Sequence, residues 1–83
     1  MAFNHFLFGT LSPGQSTRWW YTFGGSDMGA QFCMVNPLNP GGSIIVNDQT
    51  KRRENNGNIT YLVSFRNEAG VSTNFDLSGG GLV

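Results

Sequence analysis

The segment Tyr61–Leu77, YLVSFRNEAGVSTNFDL, holds two runs of alternating apolar and polar residues that meet at Asn67-Glu68-Ala69-Gly70. Alternation with period 2 marks strands that bury one face. Two registers can join the runs as a hairpin. If 67–70 all lie in the loop, Phe65 faces Ser72 and Val63 faces Asn74, which mixes apolar and polar groups. If the loop is Glu68-Ala69-Gly70, then Asn67 faces Val71, Phe65 faces Thr73, Val63 faces Phe75 and Tyr61 faces Leu77. The second register gathers the apolar side chains and leaves Thr60, Leu62, Ser64 and Arg66 on the other face with Ser72, Asn74 and Asp76. Asn suits the first position of a type I turn, and Gly suits the positive-φ site that follows. The reading is therefore a β-hairpin in which Gly70→Val is costly.

The same pattern extends outward through the chain. A first strand covers about 3–11, with Phe3, Phe6, Leu7, Phe8 and Leu11 but no clean alternation, so it is either buried on both faces or bulged near Gly9. Ser12-Pro13-Gly14-Gln15 is a turn. STRWWYTF, 16–23, sets Trp19, Tyr21 and Phe23 on one face and Arg18, Trp20 and Thr22 on the other. GGSDMG, 24–29, reads as a flexible connection. AQFCMVN, 30–36, is apolar on both faces, as a central strand would be, and the prolines of NPLNPGG end it. SIIVND, 43–48, is a fourth strand. Asn56-Gly57 is a favoured hairpin pair, yet a tight hairpin there sets Glu54 against Ile59, Arg52 against Tyr61 and Thr50 against Val63. Residues 49–58 therefore read as a solvated loop or edge excursion, with the core strand resuming at Ile59. SGGGLV, 78–83, is a Gly-rich tail or a short last strand through Leu82 and Val83. The strips Trp19/Tyr21/Phe23 and Ile59/Tyr61/Val63/Phe65 are expected to face each other between two sheets.

Composition agrees with a single all-β domain over residues 1–83. Eighty-three residues lie near the lower limit for an unstapled core, because ordering costs about 1.5 kcal/mol per residue. Seven Phe, two Trp and two Tyr supply large buried areas and favour strands. Five basic and five acidic residues cancel, which excludes the basic field of a nucleic-acid binder. The single cysteine, Cys33, rules out an intramolecular disulfide. The N-terminal run lacks a basic n-region and is too short to span a membrane, so the expectation is cytoplasmic residence or release without a visible signal peptide.

No catalytic constellation emerges. His5 and Cys33 would need hydrogen-bond reach and an orienting third group, and Cys33 sits mid-strand as a buried thiol. Neither Cys/His spacing for zinc nor alternating carboxylates for calcium is present, so no metal or other cofactor is expected. The glycine clusters lack a P-loop lysine, TKRRE at 50–54 reads as a solvated charge cluster, and Asn58-Ile59-Thr60 matches a glycosylation pattern without a secretory signal beside it.

Trp20 is the informative exception. If Trp19 faces the core, Trp20 points outward beside Arg18. It is then covered by a chain terminus, or it anchors a protein interface, or it stacks on a sugar with Asn and Asp side chains nearby. The candidate contact residues are Trp20, Arg18, Asp48, Asn55 and Asn56, within polar loops that also hold Asn36, Asn39 and Asn47.

Tyr61-Leu-Val-Ser-Phe-Arg-Asn67-Glu-Ala-Gly70, followed by Phe75-Asp-Leu77, resembles the last hairpin of bacterial immunoglobulin-like sandwich modules, and Trp19 would suit their buried core Trp. The resemblance implies a small antiparallel immunoglobulin-like β-sandwich of six to seven strands and a role in adhesion, scaffolding or ligand display. It carries over no functional residue. The expected function is a non-enzymatic structural or protein-interaction module, self-associating or bound to another protein, with carbohydrate binding as the alternative.

Overall fold

The computed structural model describes residues 2–81, with side chains from residue 4. The side chain of Phe3 and the proposed end strand at Leu82 and Val83 lie outside the described residues. Six strands form: β1 (Ala2–Leu11), β2 (Ser16–Tyr21), β3 (Gln31–Pro37), β4 (Ile44–Arg53), β5 (Ile59–Asn67) and β6 (Thr73–Gly81). They make two antiparallel three-stranded sheets, β1-β6-β3 and β2-β5-β4, stacked as a β-sandwich. Inward side chains of the first sheet (Leu11, Cys33, Val35, Phe75, Leu77) meet Val63 and Phe65 of the second. Phe65 and Phe75 pack edge to face, with centroids 5.3 Å apart.

The segment Tyr61–Leu77 is not a hairpin. β5 pairs with β2 and β4, while β6 pairs with β1 and β3. The chain crosses between sheets through residues 68–72, and the apolar faces of β5 and β6 meet across the sandwich instead of side by side. Gly70 is not at positive φ, and a Cβ there would meet nothing within 4 Å. The steric reason for a costly Gly70→Val is therefore absent.

The type I turn with a positive-φ glycine occurs instead at the far end of β5. Gly57 N–H donates to Glu54 O (2.9 Å), Glu54 N–H donates to Asn58 O (2.7 Å), and Gly57 has φ 90°. This turn makes 44–53 a full strand at the edge of its sheet, which corrects the solvated-loop alternative for 49–58 and agrees with the edge excursion over 49–53. Its register pairs Arg53 with Ile59, Lys51 with Tyr61 and Gln49 with Val63, one residue away from the hairpin weighed above. A bulge between Val46 and Asp48 then keeps Val46 on the core side while turning Asp48 outward.

A second bulge lies between His5 and Leu7, not near Gly9. It explains the broken alternation of β1, because Phe6 and Leu7 both pack against the core while Phe8 points out. β3 is an edge strand, not a central one. Its outer residues Phe32 and Met34 stand 55% and 65% exposed, so apolar side chains on both faces did not mean burial on both. Trp19 and Tyr21 lie beside Val63 and Tyr61 in one sheet, and Phe6 covers them from the other. The two aromatic strips are thus neighbours on one inner face, not opposing layers.

The connection 22–30 is pinned, not loose. Ile59 N–H donates to Gly25 O, Tyr61 Oη donates to Gly29 O (2.9 Å) and accepts from Met28 N–H, and Asp27 accepts from Lys51 Nζ (2.7 Å). The segment closes one end of the sandwich over Tyr61. β6 continues through Ser78–Gly81, where glycine is needed for close approach: a Cβ on Gly79 would fall 2.5 Å from the Phe6 ring.

Candidate functional site

β5 is the centre strand of its sheet, and its even-numbered residues point away from the core. Two of them, Thr60 and Leu62, are nevertheless buried. They are covered by side chains from the neighbouring strands, because the register sets Trp20 beside Leu62 from β2, with Thr50 and Arg52 beside Leu62 and Thr60 from β4. The outcome is a recess of about 230 Å³ lined by Trp20, Arg52, Glu54, Thr60 and Leu62. Trp20 forms part of its wall and remains 63% exposed.

The polar side of the recess is pre-set. Arg52 donates twice to Glu54, from Nε (2.8 Å) and Nη2 (3.1 Å), and Thr60 Oγ1 donates to Glu54 Oε2 (3.2 Å). The Arg52 guanidinium, helped by Thr60, holds the Glu54 carboxyl below the usual glutamate range. A bidentate pair of this kind presents a flat, ordered polar surface beside the indole.

Three of the five sequence candidates share this face. Arg18 and Asp48 flank Ser64 one step along the sheet from Trp20, and both are exposed. Among the described residues neither makes a salt bridge. Asn55 and Asn56 sit at the tip of the β4–β5 hairpin and do not line the recess. Asn56 Oδ1 is occupied by Asn58 N–H (2.9 Å), so it serves the turn. Asn39 likewise bonds Ser72 O and Asn74 N–H, tying the β3–β4 connection to the arch. The residues missed by sequence reasoning are Arg52, Glu54, Thr60 and Leu62. The Arg52/Glu54 spacing was visible, but reading 49–58 as a loop hid the register that brings them to Trp20.

His5 and Cys33 do not meet. Cys33 faces the core, where Sγ donates to Tyr21 Oη (3.3 Å), and burial pushes both the thiol and the phenol above their ordinary ranges. Burial of this kind disfavours the thiolate, the reactive form of a cysteine. His5 lies on the opposite face of its sheet against Asp76. A second recess of about 280 Å³ opens between β3 and β4. Most of its polar groups are committed to the fold: Gln49 Oε1 accepts from Cys33 N–H (2.7 Å), Gln31 Nε2 donates to Met28 O, Lys51 holds Asp27, and Tyr61 holds Gly29. Among the described residues, no three His, Cys, Asp or Glu side chains converge as metal ligands, and no helix is long and apolar enough to cross a membrane.

No protein-family model matches the chain, and neither the curated proteins nor the solved structures hold a significant match.

Proposed function

We propose that this small β-sandwich is a non-enzymatic interaction module that presents the outer face of the β2-β5-β4 sheet to a partner protein. The observation that carries the reading is Trp20, an exposed indole at a recess whose polar wall is the ordered Arg52–Glu54 pair. Trp and Arg around a small apolar floor are the chemistry of interface hot spots. Arg18 and Asp48 extend the face with one charge of each sign, suited to a polar rim.

Carbohydrate binding is the weaker reading on the same face. Stacking on Trp20 is available, but Asn39 and Asn56 are spent in bonds that hold loops, and Asn55, at the hairpin tip, does not line the recess. The likeness of Tyr61–Leu77 to the last hairpin of immunoglobulin-like modules lends no support to the reading, because β5 and β6 lie in different sheets.

The test is affinity capture from extract of the source cells on immobilised wild-type domain, with Trp20→Ala and Arg52→Ala as controls verified as folded by circular dichroism. A protein retained by wild type and lost from both variants supports the reading. Glycan-array binding abolished by Trp20→Ala, or retention indifferent to both substitutions, refutes it.

A further inference from the structure

The two outer faces of the sandwich differ in charge. Arg18, Arg52 and Arg66 stand on the outer face of the β2-β5-β4 sheet, Lys51 and Arg53 point to the open end of the sandwich, and the strands of the β1-β6-β3 sheet carry no Lys or Arg. Its strands hold a single acid, Asp76, whose Oδ1 accepts from His5 Nδ1 and from Ser78 Oγ within the same face. Three of the most exposed large apolar side chains among the described residues also stand on this face: Phe8 (67%), Met34 (65%) and Phe32 (55%). Depletion of charge together with aromatic and Met enrichment characterises the core of an interface and not open surface.

The face has a definite relief. Register places Phe8 beside Asp76, Met34 beside Ser78 and Phe32 beside Gly80. β6 thus forms a low floor of small and polar residues between a ridge on β1, where the tilted rings of His5 and Phe8 lie with centroids 4.1 Å apart, and a ridge on β3. A ridge and a trough on one surface are self-complementary under two-fold symmetry, since each copy's β3 ridge enters the other's trough.

We propose that two copies of this chain pair back to back through the outer faces of their β1-β6-β3 sheets. Charge favours the pairing: stacking this face on the β2-β5-β4 face of another copy would strip water from Arg18 and Asp48, which make no salt bridge among the described residues, whereas face on like face buries no Lys or Arg and one carboxylate per copy, Asp76, already hydrogen-bonded to His5 and Ser78. Area allows it. The molecule measures 41 × 26 × 15 Å, so only a broad face offers the roughly 800 Å² per partner of a standard interface. Edge-to-edge pairing is opposed on every side. β1 and β4 are bulged, β4 carries Lys51-Arg52-Arg53, β3 ends in Pro37 and β2 is only six residues long. The pairing leaves both Trp20 faces pointing outward and does not depend on what they bind.

Sedimentation equilibrium across micromolar concentrations tests this. The expected species has twice the 9.1 kDa chain mass. Met34→Lys enters the interface twice by symmetry and should raise the dimer dissociation constant about tenfold or more, with the circular dichroism spectrum preserved. Trp20→Ala should leave the mass unchanged. Should Met34→Lys fail to fold, the Met34 methyl resonance of the unaltered protein serves: it should shift with concentration while the Trp20 indole resonance stays fixed. A monomer at all concentrations, a dimer indifferent to Met34→Lys, or a concentration dependence centred on Trp20 overturns the proposal.

Discussion

Asn67 is fully buried, and every polar atom of its side chain is used. Nδ2 donates to Leu11 O (3.0 Å) and Val71 O (2.8 Å), while Oδ1 accepts from Ala69 N–H (2.9 Å) and lies 3.3 Å from Thr73 Oγ1. Its backbone adds bonds to Gln15 and Gly14. One amide therefore joins the end of β1, the arch and the start of β6. Asn67→Ala would strand several buried groups and should cost about 2–4 kcal/mol in denaturant unfolding. Asn67→Asp should fail as well, because a carboxylate cannot donate to Leu11 and Val71. A wild-type midpoint in either variant would contradict this account. Two glycines make the complementary case. Gly70→Ala should change stability by no more than about 0.5 kcal/mol. Gly79→Ala, which drives a Cβ into the Phe6 ring and to within 2.7 Å of Phe32 O, should cost about 1–3 kcal/mol. Thermal melts of the pair decide whether open space or close approach governs these positions.

At the level of elements, alternation told which side chains share a layer but not which backbones pair. Val63, Phe65, Phe75 and Leu77 do lie together in the core, as the pattern of 61–77 demanded. A hairpin and an arch satisfy that pattern equally, since both bring the apolar faces into contact. The deciding fact was non-local: β2 and β4 already occupy both edges of β5. The error at 49–58 came from a one-residue register, which placed Lys51 and Arg53 as partners of Tyr61 and Ile59 at the open end of the sandwich, where their charged tips reach Asp27. That end has a pH signature. Lys51, then the Gly29 N–H, holds the Asp27 carboxyl below the usual aspartate range. Glu54 is lowered in the same direction by Arg52. A carboxylate with a depressed folded pKa stabilises above its unfolded pKa, and that contribution is lost as pH falls through the folded value. Melting temperature should therefore hold steady above about pH 5 and decline below pH 4. Asp27→Asn should melt slightly earlier at neutral pH and decline less steeply in acid. The effect is small because the pairs are exposed. Parallel acid declines in the two proteins would show that the clasp on 22–30 contributes nothing.

For the whole molecule, outward Trp20 and its company with Arg18 were readable, because strand parity needs only the inward Trp19 as reference, whereas the place of Asp48 on that face was not, because the bulge after Val46 sets it. The recess was not, since it depends on β4 reaching Arg53. Connectivity has a kinetic consequence. Only β4 and β5 are joined as a hairpin; β1–β2, β2–β3, β3–β4 and β5–β6 each cross from one sheet to the other. Nearly all pairing must therefore close long loops before any contact rewards it. Refolding should occupy the range from about milliseconds to seconds, not microseconds. The β4–β5 hairpin, the only local pairing, is the natural first structure. Gly57→Ala would strain its turn at φ 90° and so should slow refolding more than it speeds unfolding. Half-buried Trp19, packed beside Phe6 and Tyr21, provides the fluorescence signal in a Trp20→Phe background. Stopped-flow chevrons of that background with and without Gly57→Ala make the comparison. If the unfolding arm moves and the folding arm does not, the hairpin forms late, and assembly begins instead with the crossings between sheets.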